Sequence, residues 1–94
     1  MVALIARYHV KPGHADEVVA ALRRMKPLVE AHEPGCTQYI VHRDGDLVVL
    51  YEQYADEAAY QAHSDSEHFK TYAVGECFPR CESRERAMYE TFEP

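Results

Sequence analysis

Four turn signals divide the chain into segments that are each about as long as one strand or one helix. They are Pro12-Gly13, Pro34-Gly35, Asp44-Gly45 and Pro79, and glycine and proline are the strongest local breakers of regular structure. The chain has 94 residues, which predicts a single domain over residues 1–94. The fold is therefore decided by the order of the strands and helices between these turns.

Hydrophobic periodicity predicts a strand, a helix and a hairpin in the first half of the chain. Val2 to Val10 is predicted to be a strand, and helical spacing follows at Val18, Leu22, Met25 and Val29. The helix is expected to end near Glu33, because the residue before a proline disfavours helical geometry. Two strands follow, Cys36 to Arg43 and Leu47 to Tyr54, joined by a tight turn at Asp44-Gly45.

The second half predicts a helical region broken in two and a last strand. Asp56 is placed to cap a short helix that runs to His63, and Ser64 with Glu67 has the spacing of a capping box for a further helix. The last strand is expected from Arg86 to Phe92. The order strand-helix-strand-strand-helix-strand is that of a ferredoxin-like α+β fold with an antiparallel sheet.

The third predicted strand is apolar on both faces. Its alternating residues are Leu47, Val49 and Tyr51 on one side and Val48, Leu50 and Tyr54 on the other. Helices on one side of a sheet require only one apolar face, so a second cover is expected. Because the chain has no further element to supply that cover, the sequence predicts a homodimer.

Charge and cysteine usage exclude several classes of partner. The net charge is −6, from 10 basic and 16 acidic residues, whereas nucleic acids and anionic membranes bind basic faces. No apolar stretch approaches the roughly 20 residues of a membrane helix. Cys36, Cys77 and Cys81 are an odd number and a poor disulfide framework. These unpaired cysteines, together with an N-terminus that lacks the leading charge of a signal peptide, indicate the cytoplasm.

Several short motifs occur together in a recognisable order. They are Lys11-Pro12-Gly13, Glu33-Pro34-Gly35-Cys36 with Tyr39, Tyr51-Glu52-Gln53-Tyr54-Ala55-Asp56, and Ala58, Ala59, His63, Ser66, His68 and Phe69. In this order the sequence resembles the antibiotic biosynthesis monooxygenase family, from about Val2 to Tyr89. The resemblance implies a dimeric α+β barrel with a small cavity in each subunit. It also implies oxidation of phenols or hydroquinones by molecular oxygen, without metal, flavin or another cofactor.

His63 is the candidate general base. It lies three residues after Tyr60 on the apolar face of the short helix, which is expected to point at the sheet. A core histidine satisfied by a carbonyl or carboxylate is the alternative. Moving a proton from a phenol to an imidazole is uphill by about 5 kcal/mol from their usual pKa values. The site therefore also needs hydrogen-bond donors that stabilise the phenolate.

Tyrosines are the expected donors, because the chain has 7 of them and no tryptophan. Tyr72 and Glu52 join His63 as candidate catalytic residues, and Glu52 is expected to orient the imidazole if it faces the cavity. The expected substrate-binding residues are Tyr8, Tyr54, Tyr60, His68 and Phe69. Core packing is the alternative for each tyrosine, and a salt bridge is the alternative for Glu52.

No metal site is expected from the spacing of the possible ligands. The six histidines form no His-Glu-x-x-His motif, and His63 and His68 are not spaced for one helix face. The predicted function is a cofactor-free monooxygenase that acts on a small phenol or hydroquinone. Two alternatives stay open: a non-catalytic module that binds a small apolar ligand, and a cofactor-free isomerase that uses the same histidine.

Overall fold

The computed structural model describes all 94 residues and has the predicted order of elements. Its strands are β1 (Val2–Val10), β2 (Cys36–Asp44), β3 (Leu47–Tyr54) and β4 (Cys81–Glu90), and its α-helices are α1 (Ala15–His32) and α2 (Glu57–Asp65). A π-helix (Phe69–Cys77) and a short 3-10 turn (Phe78–Arg80) precede β4. The strands form one antiparallel sheet in the order β2-β3-β1-β4. The ferredoxin-like α+β fold is therefore confirmed.

The core lies between one face of the sheet and the helices. α1 buries the residues that the helical spacing predicted, Val18, Leu22, Met25 and Val29, and it stays one helix through the exposed Pro27. Alternate residues of β1 and β3 meet this face of α1. Full burial of an aliphatic side chain of this size contributes roughly 1.5–3 kcal/mol. None of the helices combines the length and the hydrophobicity needed to cross a membrane.

Two predicted boundaries differ from the structure. Asp56 caps α2 as predicted and accepts a hydrogen bond from the Ala59 N–H at 2.8 Å. No helix begins at Ser64, because α2 continues to Asp65 and Ser66 makes the turn instead. The Ser66 hydroxyl donates to the His63 carbonyl at 2.7 Å and accepts from the Phe69 N–H at 3.1 Å. The prediction for the capping box is therefore wrong by two residues.

The last strand begins at Cys81 rather than Arg86 and ends at Glu90 rather than Phe92. β4 is an edge strand, and nearly all of its residues are exposed. Its first half therefore lacks the alternation of buried and polar residues by which strands are identified from a sequence.

The second face of the sheet is covered by no element of this chain. The cross-strand register aligns four apolar residues in one row over all four strands: Ile40, Tyr51, Ile5 and Ala87. None of the four is buried, and Ile40 is 41% exposed. A continuous apolar row open to water is unusual for a chain this small.

Candidate active site

A close approach between two small residues brings the end of α1 against α2. A Cβ atom on Gly35 would lie 2.6 Å from the Cβ of Ala59, so the absence of a side chain lets the backbone touch the helix. The Gly35 carbonyl also accepts a hydrogen bond from the Ala55 N–H at 2.8 Å. Glu33 precedes this contact by two residues, and His63 follows Ala59 by one helical turn. The contact between Gly35 and Ala59 therefore holds the side chains of Glu33 and His63 side by side.

Five polar side chains form a continuous buried chain around His63. Its Nδ1 lies 2.9 Å from each carboxylate oxygen of Glu33, and His68 Nε2 contacts the same carboxylate. On the other side, His63 Nε2 lies 3.5 Å from Oε1 of Glu52, which accepts a hydrogen bond from the Tyr54 hydroxyl. All five residues are 9% exposed or less. Buried polar groups are costly unless they are paired, and here they satisfy one another.

The pKa values of the two buried carboxyl groups, Glu33 and Glu52, are shifted in opposite directions. Burial alone would raise the pKa of Glu33, but hydrogen bonds from His63 and His68 outweigh burial and hold that pKa below its usual value. Burial raises the pKa of Glu52, and the opposing effects of His63 and Tyr54 do not cancel it. Diverging carboxyl environments are a recurring feature of acid-base sites.

The ionised Glu33 fixes which nitrogen of His63 carries the proton. A carboxylate only accepts hydrogen bonds, so the Nδ1 atom of His63 is the donor toward Glu33. The neutral imidazole then has its lone pair on Nε2, on the side of Glu52. A carboxylate behind one ring nitrogen orients the other for proton transfer.

A cavity of about 200 Å³ lies beside His63, between the sheet and the helices. Just over half of its lining residues are apolar or aromatic. Polar groups come from Tyr8, Glu52, Tyr60 and His63 and from three neighbouring residues of β4, Arg84, Glu85 and Arg86. An engineered cavity of roughly 150 Å³ in another protein holds benzene. The cavity therefore admits one aromatic ring.

Tyr8 supplies an unused hydrogen-bonding group to this cavity. Its side chain is buried, and its hydroxyl makes no hydrogen bond within the protein. Burial, with a smaller contribution from Glu52, raises the pKa of Tyr8 far above its usual value. The hydroxyl therefore stays protonated and is available to donate to a ligand.

The structure brings five of the eight predicted site residues to the cavity: Tyr8, Glu52, Tyr60, His63 and Phe69. Tyr54, His68 and Tyr72 do not line it. The Tyr54 side chain is fully buried with its hydroxyl on Glu52, and His68 contacts Glu33 instead. These three residues lie outside the lining of this cavity, and their roles in catalysis and substrate binding stay predictions.

Tyr72 is displaced by the geometry of its helix. Its ring packs beside α1, 5.8 Å from the Cζ atom of Arg24. The prediction placed Tyr72 with Phe69 and Ala73 on one inward face by α-helical spacing. A π-helix has more residues per turn than an α-helix, so Tyr72 no longer shares one face with Phe69, three residues earlier.

Glu33 belongs to the candidate site, although the sequence pattern does not predict it there. It is the C-cap of α1, where the helix dipole disfavours negative charge. A residue that opposes its local environment in this way indicates a specific partner elsewhere in the fold. That partner is the pair His63 and His68.

Glu33, His63 and His68 also have the composition of a metal site. Their possible ligand atoms all lie within 4.8 Å of one another. The spacing of His63 and His68 was judged for a single helix. It does not keep them apart here, because α2 ends before Ser66 and His68 contacts the same carboxylate as His63. Imidazole and carboxylate ligands suit zinc or iron. In the present arrangement, hydrogen bonds between the carboxylate and both imidazoles already satisfy the three groups.

Replacing Glu52 by Gln is expected to stabilise the protein, and more so at higher pH. The folded state raises the pKa of Glu52, so ionising it costs folding free energy as the pH rises above the unfolded value of about 4.3. Each pKa unit by which folding raises the pKa of Glu52 lowers the free energy of unfolding by about 1.4 kcal/mol, or Tm by about 5 °C for a domain of this size. We expect the Tm of Glu52→Gln, relative to wild type, to increase as the pH rises above about 4.3. A constant or shrinking difference would contradict the raised pKa.

Comparison with known proteins identifies relatives of the whole fold. The sequence profile described as antibiotic biosynthesis monooxygenase matches residues 1–74. Rv0793 of Mycobacterium tuberculosis strain H37Rv, described as a candidate monooxygenase, is 35% identical over 83 residues, 84% of this chain and 81% of the relative. Its solved structure superposes with a TM-score of 0.87 at 24% identity, over 99% of this chain and 96% of the relative.

Two other solved structures have the same fold. A candidate antibiotic biosynthesis monooxygenase from Caulobacter crescentus superposes with a TM-score of 0.90 at 23% identity, over 98% of this chain and 90% of the other. The protein PA3566 from Pseudomonas aeruginosa superposes with a TM-score of 0.85 at 28% identity, over 98% and 94% of the two chains.

Proposed function

Because the chain belongs to the antibiotic biosynthesis monooxygenase family, we propose that it oxidises a small phenol or hydroquinone with molecular oxygen and without a cofactor. One observation carries this proposal. A buried imidazole, held from behind by Glu33, lines a cavity the size of one aromatic ring, and its Nε2 atom lies 3.5 Å from Glu52, which lines the same cavity.

The first step is removal of the phenolic proton by His63 Nε2. The Glu33 carboxylate stabilises the imidazolium that forms, because it accepts the Nδ1–H hydrogen bond. The Tyr8 hydroxyl, which has no other partner, donates to the developing phenolate oxygen. The raised pKa of Glu52 favours its neutral form beside the anion. Together these groups offset the unfavourable proton transfer.

The phenolate then reduces molecular oxygen directly. It transfers one electron to oxygen, and the resulting superoxide and phenoxyl radical combine to form a C–O bond at a ring carbon. The peroxide anion takes back the proton held by His63 and becomes a hydroperoxide. Its O–O bond then breaks as the same ring carbon loses its hydrogen, the distal oxygen leaves as water with both hydrogens, and the ring carbonyl remains. In sum, a phenol and one oxygen molecule give a quinone and water. The aromatic side chains of the lining would shield the radical pair from bulk water.

Oxygen consumption with a panel of benzene-1,4-diols tests this function. We expect chelator-treated protein to consume one oxygen molecule per molecule of substrate, with one oxygen atom from labelled oxygen in the product. Isomerisation would conserve the substrate mass and proceed without oxygen. A binding module would show a ligand-dependent rise in Tm with no turnover, and either result would refute the monooxygenase.

The same proposal includes the homodimer. The apolar row of Ile40, Tyr51, Ile5 and Ala87 crosses the uncovered face of the sheet, and a second copy would bury it against an identical row. We also retain the cytoplasm as the location, which the three free thiols support.

Light scattering is expected to give twice the chain mass of 10.8 kDa at micromolar concentration. Ile5→Glu places a charge in the middle of the apolar row and is expected to give monomers. The matched control is Val74→Glu, at an apolar position of the π-helix that is 44% exposed, and it should leave the dimer intact. A wild-type protein of 10.8 kDa would refute this assembly.

A further inference from the structure

Two arginines at the open end of the cavity carry charges that no acidic group of the chain neutralises. Arg84 and Arg86 lie opposite Tyr8 and Ala6 in the sheet, so both project from the face that carries the cavity. Neither forms an ion pair, and Arg84 makes no hydrogen bond. Glu85 lies between them in sequence and also borders the cavity, but its carboxylate contacts His9 rather than either arginine.

Aromatic rings hold both guanidinium groups in position. The Cζ atom of Arg84 lies 3.5 Å from the centroid of the Phe78 ring, and that of Arg86 lies 5.6 Å from the Tyr60 ring. Arg86 also donates a hydrogen bond to the Tyr60 hydroxyl. A guanidinium that stacks through its face keeps the N–H donors of its edge free, and their geometry matches a carboxylate.

We propose that the substrate carries a carboxylate, which Arg84 and Arg86 bind while its phenolic ring occupies the cavity beside His63. This inference rests on the proposed function and names its substrate class, a single-ring phenol or hydroquinone with one acidic substituent. A more open depression lies next to the cavity. Five of the six residues that line this depression also line the cavity, and the sixth is Ser64. It gives the carboxylate a place between the ring and the solvent.

The charges in the cavity fix the orientation of such a substrate. Glu52 lies at the buried end and offers a carboxylate no cationic partner, whereas the arginines lie at the exposed end. The charge of Arg84 also reaches into the cavity: burial and Glu52 raise the pKa of Tyr8, and Arg84 opposes them. With the acid at the arginines, the phenolic oxygen points toward His63 and Tyr8. The protein as a whole has a charge of −6, so this attraction is local.

Calorimetric titration under nitrogen with 2,5-dihydroxybenzoate and 2,5-dihydroxybenzamide tests the inference. The two probes share the ring and its hydroxyls and differ in charge. We expect the acid to bind about tenfold more tightly than the amide, and Arg84→Gln or Arg86→Gln to remove most of that preference. Arg23→Gln on α1 is the matched control, because it makes the same change in net charge away from the cavity.

Equal affinity for the two probes, no binding of either, or an unchanged preference in a folded Arg84→Gln/Arg86→Gln double variant would overturn the inference. Circular dichroism establishes the folding of the variants. Since this binding needs no oxygen, it is separate from turnover. Selective binding of the acid without oxygen consumption supports the subsite and refutes the proposed function. Turnover of neutral hydroquinones without preference for the acid supports the proposed function and refutes the carboxylate subsite.

Discussion

His63→Gln is expected to lower kcat for hydroquinone oxidation about 100-fold, which is within the usual contribution of a general base. The amide keeps the volume of the side chain and a hydrogen bond to Glu33, but it accepts no proton from the substrate. KM should change little, because the ring still fits the cavity. Oxygen-electrode kinetics at saturating substrate measure this effect.

Two variants separate the role of His63 as a base from a general loss of structure. His14→Gln is the matched control, because His14 is paired with Glu17 on the surface and does not line the cavity. In His63→Ala, which should be slowed at least tenfold, added imidazole is expected to restore part of the rate through the vacated space. Unchanged oxygen consumption in His63→Gln would remove the base from the mechanism.

Glu33→Gln is expected to produce the largest loss of stability. Its carboxylate accepts hydrogen bonds from His63 and His68 in a buried site. A hydrogen bond to a charged group contributes about 1.5–3 kcal/mol, so the free energy of unfolding should fall by about 3 kcal/mol. For a domain of this size that lowers Tm by about 15 °C. Glu30→Gln, one turn earlier on the exposed face of α1, is the matched control.

The pH dependence distinguishes a lost charge from a lost packing contact. The folded state lowers the pKa of Glu33, so its contribution is present above the unfolded value of about 4.3 and is lost as the pH falls through the folded value. The difference in Tm between wild type and Glu33→Gln should therefore be full at about pH 7 and shrink as the pH falls below about 4.3. A difference that persists in acid would show that the carboxylate's charge is not responsible.

The parts of the fold that local chemistry determines were predictable. The buried positions of α1 follow from helical spacing, and Asp56 follows from the chemistry of helix caps. The hairpin turn was placed one residue early, since β2 includes Asp44 and Gly45 takes the positive φ of 60°. These features depend on neighbours in sequence, which a pattern of residues records directly.

The candidate site depends on contacts between distant segments, and its prediction was less complete. The alternation of residues along β3 predicts the face on which Tyr54 and Glu52 lie, but it does not predict how deeply each is buried. Only Glu52 reaches the cavity. Glu33 meets His63 because Gly35 and Ala59 touch, which no periodicity encodes. Arg84 lies in the half of β4 that was not identified as a strand.

Whether His63 takes a phenolic proton inside the cavity can be measured with a chromophoric phenol such as 4-nitrophenol. The phenol is bound at a pH where it is largely protonated in solution, and its ionisation is followed by absorbance. The account predicts the phenolate spectrum in complex with wild type and the neutral spectrum in complex with His63→Gln. A neutral spectrum with wild type, or the same phenolate spectrum with both proteins, would contradict it.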